Sequence, residues 1–171
     1  MSSTLKNLSE QTEPIPSAKG IRFGIIVSQW NAEITEDLFK GAYHTLITNG
    51  AEEKKIIKKY VPGSFELTFG AQLFAQQKDI DVIICLGCVI QGETKHFDFI
   101  CQAVANGLTH LNLKYNKPIV FGVLTTNNLQ QAKDRSGGKH GNKGIEAAVT
   151  AIKMITLQRN CNVFFTKDSR Q

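Results

Sequence analysis

The feature that most constrains this chain is a regular alternation of strand-like and helix-like segments from Ile21 to Leu157. Short apolar runs predict four strands, at 21–27, 56–61, 81–87 and 118–124. Apolar residues at helical spacing predict the main helices, at 32–48, 65–77, 97–115 and 145–157, with a shorter one near 128–135. Strands that alternate with helices need crossover connections, which produce parallel strands. We therefore predict an α/β fold, a three-layer αβα sandwich around a four-stranded parallel sheet.

The alternation defines one domain, predicted over residues 21–158 of 171. Residues 1–20 hold two of the four prolines and no hydrophobic period, so we expect a flexible arm or one that lies on a surface. Residues 159–171 are predicted to be a C-terminal tail. The first twenty residues lack the apolar block of a secretory signal, and no apolar run approaches the ~20 residues that cross a bilayer. We expect a cytoplasmic protein with no membrane partner.

The chain has four cysteines, all in apolar stretches: Cys85, Cys88, Cys101 and Cys161. They are too few for a disulfide scaffold, and we expect reduced thiols that act as small core residues. Cys85 and Cys88 form a lone CxxC pattern. Zinc needs a second pair, and a redox pair is expected at the start of a helix rather than inside a strand. We therefore predict no metal site.

A ligand site is expected in the segments that follow the strands, because open parallel sheets bind ligands beyond the carboxyl ends of their strands. Trp30, the only tryptophan, follows the first predicted strand beside Asn31. Its ring either stacks on a planar heterocycle or covers the core. After the second strand, Ser64 and Glu66 either bind a polar ligand or serve the start of a helix, Ser64 as its N-cap.

The segment after the third strand, residues 87–97, is the most informative. Its two glycines permit close backbone approach. Glu93 and Thr94 are predicted to open the next helix, where free amides attract anions. His96 lies on the first turn, and histidine is the side chain that exchanges protons near neutral pH. His96 is our candidate proton-transfer residue, the alternative being a structural histidine at a helix start.

The excess positive charge is concentrated in one glycine-rich segment. Twenty Lys and Arg against fifteen Asp and Glu give +5, and residues 133–143 contribute +3, from four cations against one carboxylate. Such a loop can bind an anion, but it fits neither GxxxxGK[ST] nor GxGxxG. A single phosphate held by Arg135 is therefore favoured. The other interpretation is an RNA-binding module, which a basic chain of pI about 9.0 leaves open.

Five segments, in this order and spacing, resemble lumazine synthase: SQWN, VPGSFE, GCVIQGETKHF, FGVLTT and DRSGGKHGNKG. The resemblance covers the chain from about Ile21 to Leu157. It implies a flavodoxin-like fold and a transferase of the penultimate step of riboflavin biosynthesis. The implied reaction condenses 5-amino-6-(D-ribitylamino)uracil with 3,4-dihydroxy-2-butanone 4-phosphate to 6,7-dimethyl-8-ribityllumazine, and it releases phosphate and water without a metal or organic cofactor.

The resemblance also implies a role for each candidate residue. Trp30 takes the aromatic stacking position, with Asn31 beside it. His96 matches the proton donor, and Arg135 matches the phosphate ligand. The other implied substrate contacts are Ser64, Phe65 and Glu66 with the ribityl chain, Cys88, Val89 and Ile90 with the pyrimidine, Glu93 and Thr94 with the butanone phosphate, Phe121 from a neighbouring subunit with the pyrimidine, and Lys143 near the phosphate. Cys88 stands where a hydroxyl residue is often found.

Assembly is likewise implied by the resemblance. Members of this family are homopentamers with sites between subunits, and some form shells of sixty subunits built from twelve pentamers. The segment 135–144 lacks the short insertion that members limited to pentamers often carry, so a shell is compatible with this sequence. The expected partners are the two substrates, further copies of the chain and riboflavin synthase, with no nucleic acid.

Overall fold

Strands and helices alternate along the chain, as predicted. The computed structural model describes residues 9–10 and 12–168, with side chains described as far as residue 161. The strands are β1 (Phe23–Ser28), β2 (Ile56–Val61), β3 (Val82–Ile90), β4 (Ile119–Thr126), β5 (Ser136–Gly138) and β6 (Gly141–Asn142). The helices are α1 (Ala32–Thr48), α2 (Leu67–Ala75), α3 (His96–Tyr115), α4 (Leu129–Asp134) and α5 (Lys143–Asp168), and a short 3-10 turn, Glu53–Lys55, precedes β2.

The first four strands form one parallel sheet in the order β2-β1-β3-β4. All six residues of β1 are buried, because β1 lies inside the sheet and helices cover both of its faces. Helices α1 and α5 cover one face, while α2 and α3 cover the other. The predicted α/β fold, a three-layer sandwich of flavodoxin-like form, is confirmed.

Two small residues permit the close contact between α1 and α5. A Cβ atom at Gly144 would collide with the backbone carbonyl of Leu38 in α1. A Cβ atom at Gly41 would come within 2.6 Å of the Asn142 side chain. The start of α5 is therefore held directly against α1, and this packing sets the position of the basic segment that precedes α5.

The third strand is longer than predicted. It ends at Ile90 rather than Gly87, because Val89 and Ile90 continue to pair with the end of β4. Cys88, Val89 and Ile90 therefore lie on a strand and not in a loop. This end of β3 offers side chains and backbone groups in a fixed register, which a flexible connector would not.

The start of α3 and the form of the glycine-rich segment were also predicted wrongly. Helix α3 begins at His96, so Glu93 and Thr94 precede it instead of opening it. The predicted glycine-rich loop contains the antiparallel hairpin β5–β6. Residues at positive φ let this hairpin turn, with Gly137 at 126° and Gly141 at 84°.

The last helix continues to Asp168, beyond the predicted end near Leu157, and so runs into the stretch predicted as a tail. At the other terminus, the backbone N–H of buried Ala18 donates to the carbonyl of Asn49 (2.8 Å), and Ile15 packs against the core. Residues 1–8, 11 and 169–171 of the predicted arm and tail lie outside the described residues. Within the described residues, no helix is both long enough and apolar enough to span a membrane.

The prediction of core cysteines is correct for two of the four. Cys85 and Cys88 are buried on opposite faces of β3, each in a different helix layer. Burial raises the pKa of both thiols, that of Cys88 to about 11. Cys101 is half-buried and Cys161 is exposed, because each lies on a solvent-facing part of its helix. Among the described residues, no cluster of three or more His, Cys, Asp or Glu could hold a metal ion.

Candidate active site

A pocket of about 530 Å³ lies beyond the carboxyl ends of the central strands. It opens where β1 and β3 are neighbours in the sheet but their connections run to opposite sides, the position at which such sheets bind ligands. It is lined by residues from all three segments that the sequence singled out, together with part of α3: Trp30, Asn31, Ser64, Phe65, Glu66, Cys88, Val89, Ile90, His96, Phe99 and Ile100.

The segment after β1 contributes an aromatic face and a fixed turn. Trp30 is 68% exposed, so the alternative that its ring covers the core is wrong. Asn31 has a left-handed backbone, with φ 58° and ψ 47°, and its side-chain amide donates to the carbonyl of Cys88 at 3.1 Å. Glycine adopts this conformation most readily, and asparagine is one of the few residues with a side chain that also tolerates it. Asn31 therefore ties the end of β1 to the end of β3.

We expect Asn31→Ala to lower the free energy of unfolding by about 1–2 kcal/mol, because it loses a hydrogen bond and places a less tolerant residue at positive φ. Asn31→Gly is the matched variant, since it loses the same hydrogen bond but places at positive φ a residue that adopts this conformation without strain. We expect it to be the milder of the two. Urea unfolding of both variants measures the difference. Equal losses would contradict a contribution from the left-handed backbone.

The segment after β2 orients a carboxylate at the pocket wall. The Glu66 carboxylate accepts a hydrogen bond from the Gly63 N–H at 3.0 Å. A Cβ atom at Gly63 would lie 3.0 Å from the Trp30 ring and 3.1 Å from the Glu66 carboxylate. Glycine at this position thus allows Trp30 and Glu66 to line one pocket together.

The hydroxyl of Ser64 does not cap helix α2, which begins at Leu67, so that alternative is wrong. The Ser64 side chain is buried, and among the described residues its hydroxyl has no hydrogen-bond partner. Buried hydroxyl groups are normally paired. Among the described residues, the Ser64 hydroxyl is thus an unpaired group buried behind the wall of the pocket.

The third wall combines the end of β3 with the first turns of α3. His96 is exposed at the first residue of α3 and lines the pocket. Phe99 and Ile100, which sequence reasoning missed, line it as well. They lie three and four positions after His96, on the same face of the helix, and this spacing is the signal that would have identified them.

Glu93 and Thr94 do not line the pocket, although they lie close to it in the chain. Both are exposed, in the segment between β3 and α3. The Thr94 hydroxyl accepts a weak hydrogen bond from the His96 N–H at 3.4 Å. Glu93 and Thr94 thus precede α3, whose first residue is His96.

Arg135 and Lys143 form a second group, at the β5–β6 hairpin and the start of α5. Arg135 binds Glu146 through two nitrogens, at 2.8 and 3.1 Å, and donates to the carbonyl of His140 at 2.7 Å. Lys143 also binds Glu146, at 3.1 Å. Sequence reasoning missed Glu146, although its spacing of three from Lys143 on a helix is a recognisable ion-pair signal. Two predicted phosphate-binding cations are thus held by one carboxylate.

The ion pairs set the titration of this carboxylate. Burial raises the pKa of Glu146, but hydrogen bonds and charge from Arg135 and Lys143 outweigh it and hold the pKa below its ordinary 4.5. A carboxyl group with a lowered folded-state pKa stabilises the fold above its unfolded pKa. It loses that contribution as the pH falls through the folded value.

We therefore expect the free energy of unfolding to fall as the pH drops below 4.5 and through the lowered pKa of Glu146. Glu146→Gln should be less stable than the parent at neutral pH, and the difference should shrink in acid. Urea unfolding of both chains between about pH 6 and about pH 3 measures it. A difference that is independent of pH would contradict the lowered pKa.

Phe121 lies apart from the main pocket. Together with Lys143 it lines a different cavity of about 380 Å³ between β4 and α5, with Pro118 and Met154 among its other walls. Arg135 lines neither cavity. Within one chain, the structure does not bring Phe121, Arg135 or Lys143 to the pocket that holds Trp30 and His96.

A parallel sheet of this strand order, with an aromatic pocket at its switch point, defines a flavodoxin-like α/β protein with a candidate small-molecule site. The sequence model of the 6,7-dimethyl-8-ribityllumazine synthase family matches residues 20–159. The chain belongs to this family.

Curated relatives agree over almost their whole length. The 6,7-dimethyl-8-ribityllumazine synthase of Cytophaga hutchinsonii is 59% identical over 155 residues, which cover 91% of this chain and 98% of the relative. The enzyme of the same name from Parabacteroides distasonis is 51% identical over 158 residues, covering 92% of this chain and 99% of the relative. The enzyme of the same name from Flavobacterium johnsoniae is 51% identical over 164 residues, which cover 95% of this chain and 86% of the relative.

Proposed function

We infer that the chain is a transferase that makes 6,7-dimethyl-8-ribityllumazine, the penultimate step of riboflavin biosynthesis. It condenses 5-amino-6-(D-ribitylamino)uracil with 3,4-dihydroxy-2-butanone 4-phosphate and releases phosphate and water. Besides the family membership, one observation carries this function. Family motifs that are dispersed over residues 28–97 converge in one pocket at the switch point of the sheet.

The pocket supports binding of the pyrimidine substrate. The exposed Trp30 ring offers a flat face for stacking on the heterocycle. Residues 88–90, at the end of β3, offer fixed backbone groups and side chains at its edge. The Cys88 thiol stays protonated at neutral pH, since its pKa is about 11, so it contributes a weak S–H donor where a hydroxyl would donate more strongly.

The ribityl chain of the pyrimidine substrate carries several hydroxyl groups. The segment 64–66 supports its binding, since all three residues line the pocket and the Gly63 N–H holds the Glu66 carboxylate in place. The Phe65 side chain is 55% exposed and adds apolar contact at the same wall.

His96 is proposed to carry the protons of the reaction. Imine formation requires a proton on the departing hydroxyl group, and elimination of phosphate requires removal of a proton from the neighbouring carbon. Both transfers need a group that exchanges protons near neutral pH and reaches the substrates. His96 lines the pocket and is exposed, which meets the second condition. Holding both substrates together contributes the rest of the rate enhancement.

Arg135 is proposed to bind the phosphate, with Lys143 beside it and Glu93 and Thr94 at the same subsite. An arginine has five N–H donors, and Glu146 and His140 do not use all of them. Because Glu146 holds the guanidinium group in one orientation, the remaining donors are aimed before the phosphate arrives. Neutralising the leaving phosphate lowers the barrier to its elimination.

The separation of the two groups of residues supports a site shared between copies of the chain. Phe121 and Arg135 would come from a neighbouring subunit. Large apolar side chains exposed just before α2, on α2 and on α3 support such an assembly: Phe65, Phe69, Leu73, Phe99 and Leu113. We propose a homopentamer in the cytoplasm, with a shell of twelve pentamers and association with riboflavin synthase as further expectations. Sedimentation of the purified protein distinguishes a pentamer from a shell.

The RNA-binding alternative loses its main support. Each of the four cations in the segment 133–143 is engaged by a carboxylate: Lys133 by Glu33, Arg135 and Lys143 by Glu146, and Lys139 by Asp134. A polyanion needs many unpaired cations along one surface. The cluster therefore fits one small phosphate better than a nucleic acid.

The test of the proposed function is direct. We expect the absorbance band of the lumazine to develop when the protein is mixed with both substrates. Omitting either substrate or the protein should abolish the catalysed rise. If the band develops no faster with the protein than without it, the proposed function is wrong.

A further inference from the structure

The side chain of Ser9, in the N-terminal segment, reaches the start of α5. The Ser9 hydroxyl accepts a hydrogen bond from the Asn142 N–H at 2.6 Å. It also donates to the Asn142 carbonyl, at 3.0 Å, or to a Glu146 carboxylate oxygen, at 3.4 Å. Ser9 and Asn142 are 133 positions apart in the chain.

Both partners of Ser9 belong to the structure that holds Arg135. Asn142 ends the β5–β6 hairpin, and its side-chain oxygen accepts a hydrogen bond from the Gly144 N–H at 2.8 Å at the start of α5. Glu146 binds the Arg135 guanidinium group through both of its oxygens. Moving either partner therefore changes where the guanidinium group points.

The rest of the described N-terminal segment anchors Ser9 at this position. Ile15 packs against the core, and the buried Ala18 is hydrogen-bonded to the end of α1. Glu13 makes one further contact, an ion pair of 3.4 Å with Lys153 on α5 in which the Glu13 side chain is 77% exposed. Such an exposed pair contributes little to stability, and it touches neither Glu146 nor the hairpin.

We propose that Ser9 is a positioning residue for the anion site at Arg135, acting through Glu146 and the β5–β6 hairpin. The proposal rests on the proposed function in one respect, namely that the anion is the phosphate group of the second substrate. The N-terminal segment is then part of the phosphate subsite. The described contacts of Glu13, Ile15 and Ala18 hold the segment against the rest of the domain.

The expected effect is that of one hydrogen bond acting through a neighbouring group. Removing such a bond costs on the order of 0.5–1.5 kcal/mol, which corresponds to about a two- to tenfold change in affinity. Ser9→Ala should therefore weaken binding of inorganic phosphate and raise the KM for the butanone phosphate by about two- to tenfold. The KM for the pyrimidine should not change, because the pocket at Trp30 does not contact Ser9.

Three variants test the proposal in the full chain. Ser9→Ala removes the hydroxyl, Ser9→Thr retains one, and Glu13→Gln is the matched control that disturbs the same segment without touching Glu146. The dissociation constant of inorganic phosphate, measured by calorimetry, and both KM values are the readouts. We expect a loss for Ser9→Ala, recovery for Ser9→Thr and no change for Glu13→Gln.

Two outcomes overturn the proposal. One is an unchanged phosphate affinity in Ser9→Ala. The other is an equal loss in Ser9→Ala and Glu13→Gln, which would assign the effect to the whole segment. Failure of the proposed function would show separately, because the unsubstituted protein would then form no lumazine. The phosphate titration would still decide the role of Ser9 in that case.

Discussion

Replacing His96 by alanine is expected to lower turnover by up to roughly 10²–10⁴-fold, the usual contribution of a general acid–base group. Affinity for the pyrimidine should change little, because Trp30 and the residues of the β2 and β3 ends remain in place. Steady-state formation of the lumazine measures turnover. Quenching of the single tryptophan, Trp30, measures binding of the pyrimidine.

The same helix supplies a control for this variant. His110 is exposed on α3, away from the pocket lining, so His110→Ala removes an imidazole from the same helix without touching the site. We expect His110→Ala to retain the parent turnover. Near-parental turnover in His96→Ala would remove His96 from the mechanism, and an equal loss in both variants would indicate damage to α3.

Arg135→Ala is expected to raise the KM for the butanone phosphate by about 10- to 100-fold, since charge-assisted hydrogen bonds contribute on the order of 1.5–3 kcal/mol. The KM for the pyrimidine should change much less. The variant also leaves Glu146 without its main partner in a mostly buried position, where the two side chains are 18% and 17% exposed. We therefore expect a lower free energy of unfolding as well.

Two further variants separate phosphate binding from stability. Arg135→Lys retains the charge but loses the paired geometry of the guanidinium group, so it should recover stability more fully than phosphate affinity. Lys139→Ala removes a neighbouring cation that is 66% exposed, and it should leave both KM values unchanged. An unchanged KM for the butanone phosphate in a folded Arg135→Ala protein would contradict the role of Arg135.

The pocket was predictable because its parts follow strands. The segments that contain Trp30, Ser64 and Cys88 each come after an apolar run, and parallel strands bring such segments to one edge of the sheet. The end of β3 was placed too early, at Gly87. Its last residues stay extended because they pair with the end of β4, and this pairing has no signature in local composition.

The second group of residues was only partly predictable. The cations of the basic segment were evident from charge, but their pairing with Glu33, Asp134 and Glu146 was not. The pairs of Lys133 with Glu33 and of Arg135 with Glu146 depend on how separate elements pack, whereas the Lys143–Glu146 pair lies within α5 and has a helical spacing visible in the sequence. Phe99 and Ile100 were missed although their spacing of three and four from His96 already placed them on the same helix face.

The sequence by itself determined the layered α/β fold, because the spacing of apolar residues decides which face of each element is buried. It also predicted the end of the sheet at which the pocket lies. Only the tertiary structure decided the contacts between distant residues, such as Asn31 with Cys88 and Ser9 with Asn142. The physical reason is that periodicity is local, whereas these hydrogen bonds form only when packing brings separate elements together.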